Sequence, residues 1–339
     1  MLVESSEPLA SAFDLALVDL DGVAYRGPEP IDHAAESLTK ARAGGMGLVF
    51  VTNNASREPE AVASQLTGLG IAAQAAEVMT AAQAAAAVLV DGLPAGSRVL
   101  VVGGAGLFTA VRAAGFAIVR SADDEPAAVV QGFSPDLGWR ELAEAAYAVQ
   151  RGAWHVASNL DMTLPNERGM APGNGSLVSV VRAATGVEPV SAGKPEPTMF
   201  QFAAERRDAR RPLVIGDRLD TDLAGARAAG YAGLHVFTGV SSARDAVVAS
   251  SEERPTFLGA DLRSLLVAHP APSRGEGDWW SCGTAAAAVR DGSLTFDRSA
   301  SSGLTLDHVR AACAAVWSAV DEGATVEQAS VPDLVVTVD

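Results

Sequence analysis

Cysteine is nearly missing from this chain: Cys282 and Cys313 are the only two in 339 residues, so the fold is not built around an oxidised framework. Basic residues are scarce as well. Twenty-five lysines and arginines face 41 acids, a formal charge of −16, which argues against nucleic acid or an anionic membrane as partner, since both need clustered positive charge. No apolar stretch approaches the roughly 20 residues of a spanning helix, and Met1-Leu2-Val3-Glu4-Ser5-Ser6-Glu7 carries acids where a secretion signal carries bases. Paired histidines are lacking too: His33, His155, His235, His269 and His308 are scattered without zinc-ligand spacing, and His155, in an apolar strand, reads as a core histidine. The expectation is a cytoplasmic enzyme with no nucleic-acid or membrane partner. With 48% hydrophobic residues it has chain enough for a sizeable core and more than one domain.

What is present is an alternation of short Val/Leu/Ile strands with alanine-rich helices, the pattern of parallel βαβ units and an α/β fold. From Phe13 onward the chain reads as strand, loop, helix over 31–42, strand over 47–51, helix over 58–69 and a return strand. A stretch over 82–174 is too long for a loop and alternates on its own, with strands at 98–102, 116–119, 127–131 and 154–157 and helices at 107–114 and 139–151. Core elements resume near Gly175. Within the insert, Val101-Val102-Gly103-Gly104-Ala105-Gly106 superficially suggests a dinucleotide fingerprint, but Thr109 stands where the third glycine belongs. It reads as a tight strand–helix turn.

Four short segments carry chemistry-bearing residues. Asp19-Leu20-Asp21-Gly22-Val23 follows the apolar run Leu15-Ala16-Leu17-Val18, placing two carboxylates where a buried strand ends, the position at which open α/β sheets bind ligands. An Asp-Gly turn accounts for the same residues on conformational grounds alone. Val51-Thr52-Asn53-Asn54 ends a second apolar strand in a hydroxyl and two amides, donors for phosphoryl oxygens; ordinary helix capping is the plainer explanation. Ala192-Gly193-Lys194-Pro195-Glu196-Pro197 sets one lysine before a helix start. Gly216-Asp217-Arg218-Leu219-Asp220-Thr221-Asp222 breaks another apolar strand with three acids in six residues, more than capping requires.

Together these segments resemble the four motifs of the haloacid dehalogenase superfamily, in the branch of nitrophenyl and phosphoglycolate phosphatases. The resemblance runs from about Phe13 to about Asp261. It implies a Rossmann-like three-layer core with a parallel sheet over 1–81 and 175–262, an inserted α/β cap domain over 82–174, and a phosphatase for a small phosphorylated metabolite. An acid at position 21 sets this chain apart from the superfamily's transport ATPases and dehalogenases, and the large insert after Thr52 favours phosphatase over mutase. A homodimer through the cap is an open possibility of this arrangement.

The residues supply the chemistry. Asp19 is the expected nucleophile, forming an aspartyl-phosphate, and Asp21 the acid that protonates the alkoxide and then accepts a proton from water. The Asp19 carboxylate, the Asp21 main-chain carbonyl and Asp217 are hard oxygen ligands that suit Mg2+. Lys194 offsets the charge of Asp19 and the phosphoryl group; Gly22, Thr52 and the N–H groups near Asn53 and Asn54 hold its oxygens. Asp222 is expected outside the ligand set, orienting Lys194 or metal-bound water. In a chain of net charge −16, Arg218 is a further local positive for an anionic substrate. Asn159, Asp161 and Pro165-Asn166-Glu167-Arg168 are candidates for the pocket wall, with an Asn/Asp/Pro turn as the plain alternative.

After a Pro/Gly-rich stretch over 267–277, read as a linker, comes a small α/β appendage over 272–339: Trp279-Trp280, a turn at Asp291-Gly292, an amphipathic helix over 306–320 and an apolar strand over 333–338. It resembles the acetyltransferase-like remnant of the mycobacterial-type glycerol-3-phosphate phosphatases, which makes glycerol 3-phosphate the preferred substrate, with phosphoglycolate and nitrophenyl phosphate as alternatives. It lacks the glycine loop that holds an acyl-CoA pyrophosphate. Two other classes are weighed: a bifunctional protein whose appendage binds a regulatory ligand, and a non-catalytic binding protein, against which the intact acids and lysine speak.

Overall fold

The computed structural model describes residues 1–166, 168–297, 304–326 and 331–334. Glu167 and most of the strand expected over 333–338 lie outside the described residues. The chain forms two compact units, one of Met1–Leu48, Leu69–Ile71 and Arg207–Asp339, the other of Val49–Gly68 and Ala72–Arg206. Among the described residues no helix is long and apolar enough to cross a membrane.

In the first unit, Leu15–Asp19 lies parallel to Pro212–Gly216, which pairs in turn with Ala232–Val236 and that with Phe257–Gly259. These strands are apolar and buried almost throughout, as parallel strands covered on both faces must be. Their carboxyl ends deliver Asp19 and Gly216-Asp217. Helix Ala34–Ala43 matches the sequence reading closely. After Asp217 a π-helical turn, Leu219–Leu223, precedes the short α-helix Ala224–Ala228.

The appendage is an antiparallel sheet in the order Ser273–Arg274, Trp279–Cys282, Ala285–Arg290, Ser293–Phe296, packed against helix Leu306–Asp321. Its core, among the described residues, is shared with the rest of the first unit. Val309, Ala312, Val316 and the fully buried Trp317 share one cluster with Leu219, Leu223, Ala243, Ala246, Val247 and Leu258. The stretch read as a linker is structured as well: Ser5 and His269 exchange main-chain hydrogen bonds at 2.9 and 2.8 Å, and Ser273–Arg274 joins the sheet. Composition marked this stretch as loop, but its backbone groups find partners all the same.

The second unit carries a five-stranded parallel sheet, Val190–Ser191, Trp154–Ala157, Ala128–Gln131, Arg98–Val102, Ala117–Val119. The unit is larger than the insert read at 82–174. Val190–Ser191 hydrogen-bonds to Trp154–Ala157, and helix Ala81–Gly92 packs on Thr198–Glu205. The alanine-rich helix starts at a capping box, with Thr80 Oγ1 accepting from Gln83 N and Gln83 Oε1 from Thr80 N at 2.9 Å. It buries five alanines, at 81, 82, 84, 85 and 86, together with Leu89. The glycine turn at 103–106 serves packing: a Cβ at Gly106 would lie 2.4 Å from the Arg57 carbonyl oxygen.

His155 is buried and meets Gln131 Oε1 through Nε2 at 3.1 Å; burial pushes its pKa down from 6.5 to about 4. The unfolded chain therefore binds the proton first as pH falls. The ring's contribution is complete above about pH 6.5 and is lost progressively toward pH 4. Replacing His155→Gln should reduce the stability difference between pH 7 and pH 5 by about 2 kcal/mol, read by urea unfolding at both values. An unchanged difference would mean that the ring is charged in the fold.

Candidate active site

Three carboxylates converge where the first unit's strands end. Asp19, Asp217 and Asp222 each offer an oxygen within 4.8 Å of the others; Asp19 is half-buried, and the other two are buried. Asp19 and Asp217 come from the ends of adjacent parallel strands whose register sets Val18 beside Ile215. The π-helical turn brings Asp222 back toward the end of its own strand, where a Cβ on Gly216 would lie 2.1 Å from the Asp222 Cβ.

Asp217 is tightly held. Its Oδ2 accepts from the Val240 N–H at 2.6 Å, and its carbonyl from Ser241 N at 3.0 Å and His235 Nε2 at 3.3 Å. A Cβ would lie 1.8 Å from Asp217 Oδ2 at Gly239 and 2.4 Å at Gly22, where φ is +86°. Gly22, expected at the substrate, thus makes room for Asp217 and turns the chain. Asp21 is exposed in the same turn. Thr238 Oγ1 donates to Gly22 O at 2.5 Å and the Arg26 guanidinium to Thr238 O. The segment from Thr238 to Ser241 escaped the sequence reading; a glycine soon after the apolar strand Ala232–Val236 was its only signal. Arg218, read as a substrate contact, forms a bidentate pair with Asp220 at 3.0 and 2.7 Å, an interaction that holds the Asp220 carboxyl below its usual range.

In the second unit the predicted Thr52, Asn53, Asn159, Asp161 and Lys194 come together through amides. The Lys194 N–H donates to Asn53 Oδ1 at 2.8 Å while Asn53 Nδ2 donates to Lys194 O at 3.1 Å, a reciprocal clasp on the lysine's main chain. Asn53 Nδ2 also donates to both Asp161 oxygens, at 3.2 and 3.1 Å. Asn159 Nδ2 donates to Asn53 O at 2.7 Å, and Asn174 Nδ2 to Asn159 O at 2.7 Å. Asn54 N donates to Thr52 Oγ1 at 3.2 Å, and Asn54 Oδ1 accepts from Ser56 N at 2.8 Å. Lys194 is buried and follows strand Val190–Ser191. Asn174, the first residue of a helix, was not anticipated: a lone asparagine there reads as a cap.

Three carboxylate oxygens this close repel one another, and a hard divalent cation is the partner such a donor set accommodates. The residues present fit that group. Asp222, expected outside the ligand set, supplies one of the three oxygens.

A family model described as haloacid dehalogenase-like hydrolase matches residues 16–117, and a second, HAD-hydrolase-like model matches residues 191–265. The chain belongs to the haloacid dehalogenase-like hydrolases. Within that family it is 45% identical over 320 residues to the D-glycerol 3-phosphate phosphatase of Mycobacterium tuberculosis, covering 92% of this chain and 88% of that protein. The crystal structure of the glycerol phosphate phosphatase from that organism in complex with magnesium superposes with a TM-score of 0.82, covering 92% of each chain. An acid sugar phosphatase from Staphylococcus saprophyticus is 38% identical over 252 residues, 95% of its own length but 74% of this chain.

The approach to Gly239 gives a direct test. In Gly239→Ala the new methyl collides with Asp217 Oδ2, and divalent-cation affinity should fall by about tenfold or more, measured by calorimetric titration. Retained affinity would show that Asp217 does not set it.

Proposed function

We propose that this protein is a magnesium-dependent phosphatase that hydrolyses glycerol 3-phosphate to glycerol and phosphate. The observation that carries the reading is a carboxylate triad at the strand ends of a chain that is 45% identical, over nearly its whole length, to a D-glycerol 3-phosphate phosphatase.

In this reading Asp19 attacks phosphorus, its oxygen bonding to phosphorus as the ester bond breaks, and Asp21 gives its proton to the departing alkoxide. Water then attacks the aspartyl-phosphate; Asp21 takes a proton from it, and phosphate leaves with Asp19 restored. Asp19, Asp217 and Asp222, with the Asp21 carbonyl, hold the cation. Bound there, Mg2+ neutralises carboxylate and phosphoryl charge. Thr52 and the main-chain N–H groups beside it bind phosphoryl oxygens, and Lys194 supplies positive charge. The amide clasp supports this assignment: Asn53 fixes the lysine's main chain and so limits where the ammonium can reach. Asn159 and Asp161 belong to the same network and offer hydrogen-bonding groups suited to a polyol.

Phosphate release from glycerol 3-phosphate, phosphoglycolate, sugar phosphates and nitrophenyl phosphate should depend on Mg2+, vanish with EDTA and be fastest on glycerol 3-phosphate. Asp19→Asn should lower kcat by about 10³ or more, since the residual rate lacks the covalent route. Activity surviving that change would rule out the aspartyl-phosphate, and a stronger preference for another ester would reassign the substrate.

A further inference from the structure

The family models end at residue 265, yet the appendage beyond them is wired into the carboxylate cluster. Asp217 depends on residues 238–241 for the Val240 and Ser241 N–H groups. The same loop clips the turn that carries Asp222, since Leu219 N donates to Ser241 Oγ at 3.1 Å. The loop runs directly into helix Ala243–Val247, which has five residues and is too short to hold its own shape or position. The appendage secures it. Trp317 Nε1 donates to Ala246 O at 3.2 Å, and Arg244 Nε donates to Val331 O at 2.8 Å. Ala243, Ala246 and Val247 bury their side chains in the cluster built around Trp317 and Val316, and Leu219 and Leu223, the two ends of the π-helical turn, enter the same cluster.

We infer that helix Leu306–Asp321 is a clamp on the loop that holds Asp217, and that Trp317 and Arg244 are positioning residues which set the affinity of the Asp19–Asp217–Asp222 cluster for its divalent cation. The inference rests on the function proposed above. It gives the appendage a task in the hydrolase itself: the 238–241 loop that holds Asp217 and the 219–223 turn that carries Asp222 are both backed by one apolar surface. A shift of a few tenths of an ångström in that surface moves the Val240 N–H and the Asp222 carboxylate together, and groups behind metal ligands commonly tune affinity in this way.

Trp317→Phe keeps an aromatic ring in the core but removes the indole N–H, while Arg244→Met leaves the tryptophan in place and removes the bond to Val331. Magnesium chloride titrated calorimetrically into each full-length, folded variant should bind about tenfold more weakly than to the unaltered chain. The KM for glycerol 3-phosphate at saturating magnesium should stay within about twofold, and kcat should recover as magnesium is raised, because the groups that contact substrate are untouched. Should one variant fail to fold, the other decides. Unchanged magnesium affinity accompanied only by a lower melting temperature would overturn the clamp and leave the appendage a packing element. If the unaltered chain binds no magnesium, the proposed function fails first, and the clamp with it.

Discussion

Three carboxylates within 4.8 Å of one another are the constraint on which the first unit is organised. Two unit charges at that separation repel by about 3.5 kcal/mol at an effective dielectric near 20, so the arrangement persists only because specific neighbours oppose the repulsion. Main-chain N–H groups of Val240 and Arg218 donate to Asp217 and Asp222 at 2.6 and 3.2 Å. Space is the second requirement. Gly22, Gly216 and Gly239 each stand where a β-carbon would fall within 2.4 Å of an aspartate atom. The sheet fixes the strand ends, the glycines admit the side chains, and the N–H groups hold part of the charge. A hard divalent cation is the counter-charge this donor set accommodates.

The second unit solves a different problem with uncharged groups. Lys194 is buried, and an ammonium taken out of water needs its surroundings fixed in advance. Asn53, Asn159 and Asn174 form a run of amide-to-carbonyl bonds ending on the lysine's backbone. Amides are suited to this because each donates and accepts, so main-chain groups at the ends of separate strands are satisfied without adding charge beside the ammonium.

The strands were legible because buried parallel strands appear as apolar runs: Leu15–Asp19, Arg98–Val102 and Trp154–Ala157 stand within a residue of where the pattern put them. Asp19 and Asp217 were legible for the same reason, as acids at the ends of such runs. Asp222 was visible as a residue but its closeness to Asp19 and Asp217 was not, since nothing in the letters says that the turn after Asp217 winds as a π-helix and carries it back. Gly239 and Val240 act through the lack of a side chain and a main-chain N–H, neither of which leaves a chemical mark in the sequence. Arg218 was read for its charge, with no account taken of the nearby Asp220 that pairs with it. The pairing of Val190–Ser191 with Trp154–Ala157 joins distant segments, and local periodicity has no access to such a choice.

The two units differ in when their parts become available during synthesis. The second unit is complete in sequence once Arg206 has been made, whereas the first places Leu15–Asp19 against Pro212–Gly216 and shares its core with Trp317. Contacts across such separations form late and slowly. The opening strand, with Asp19 at its end, must therefore wait through translation of the entire second unit, which can settle into its own fold first. The order in which the ribosome releases the chain thus makes the carboxylate cluster one of the last features to assemble.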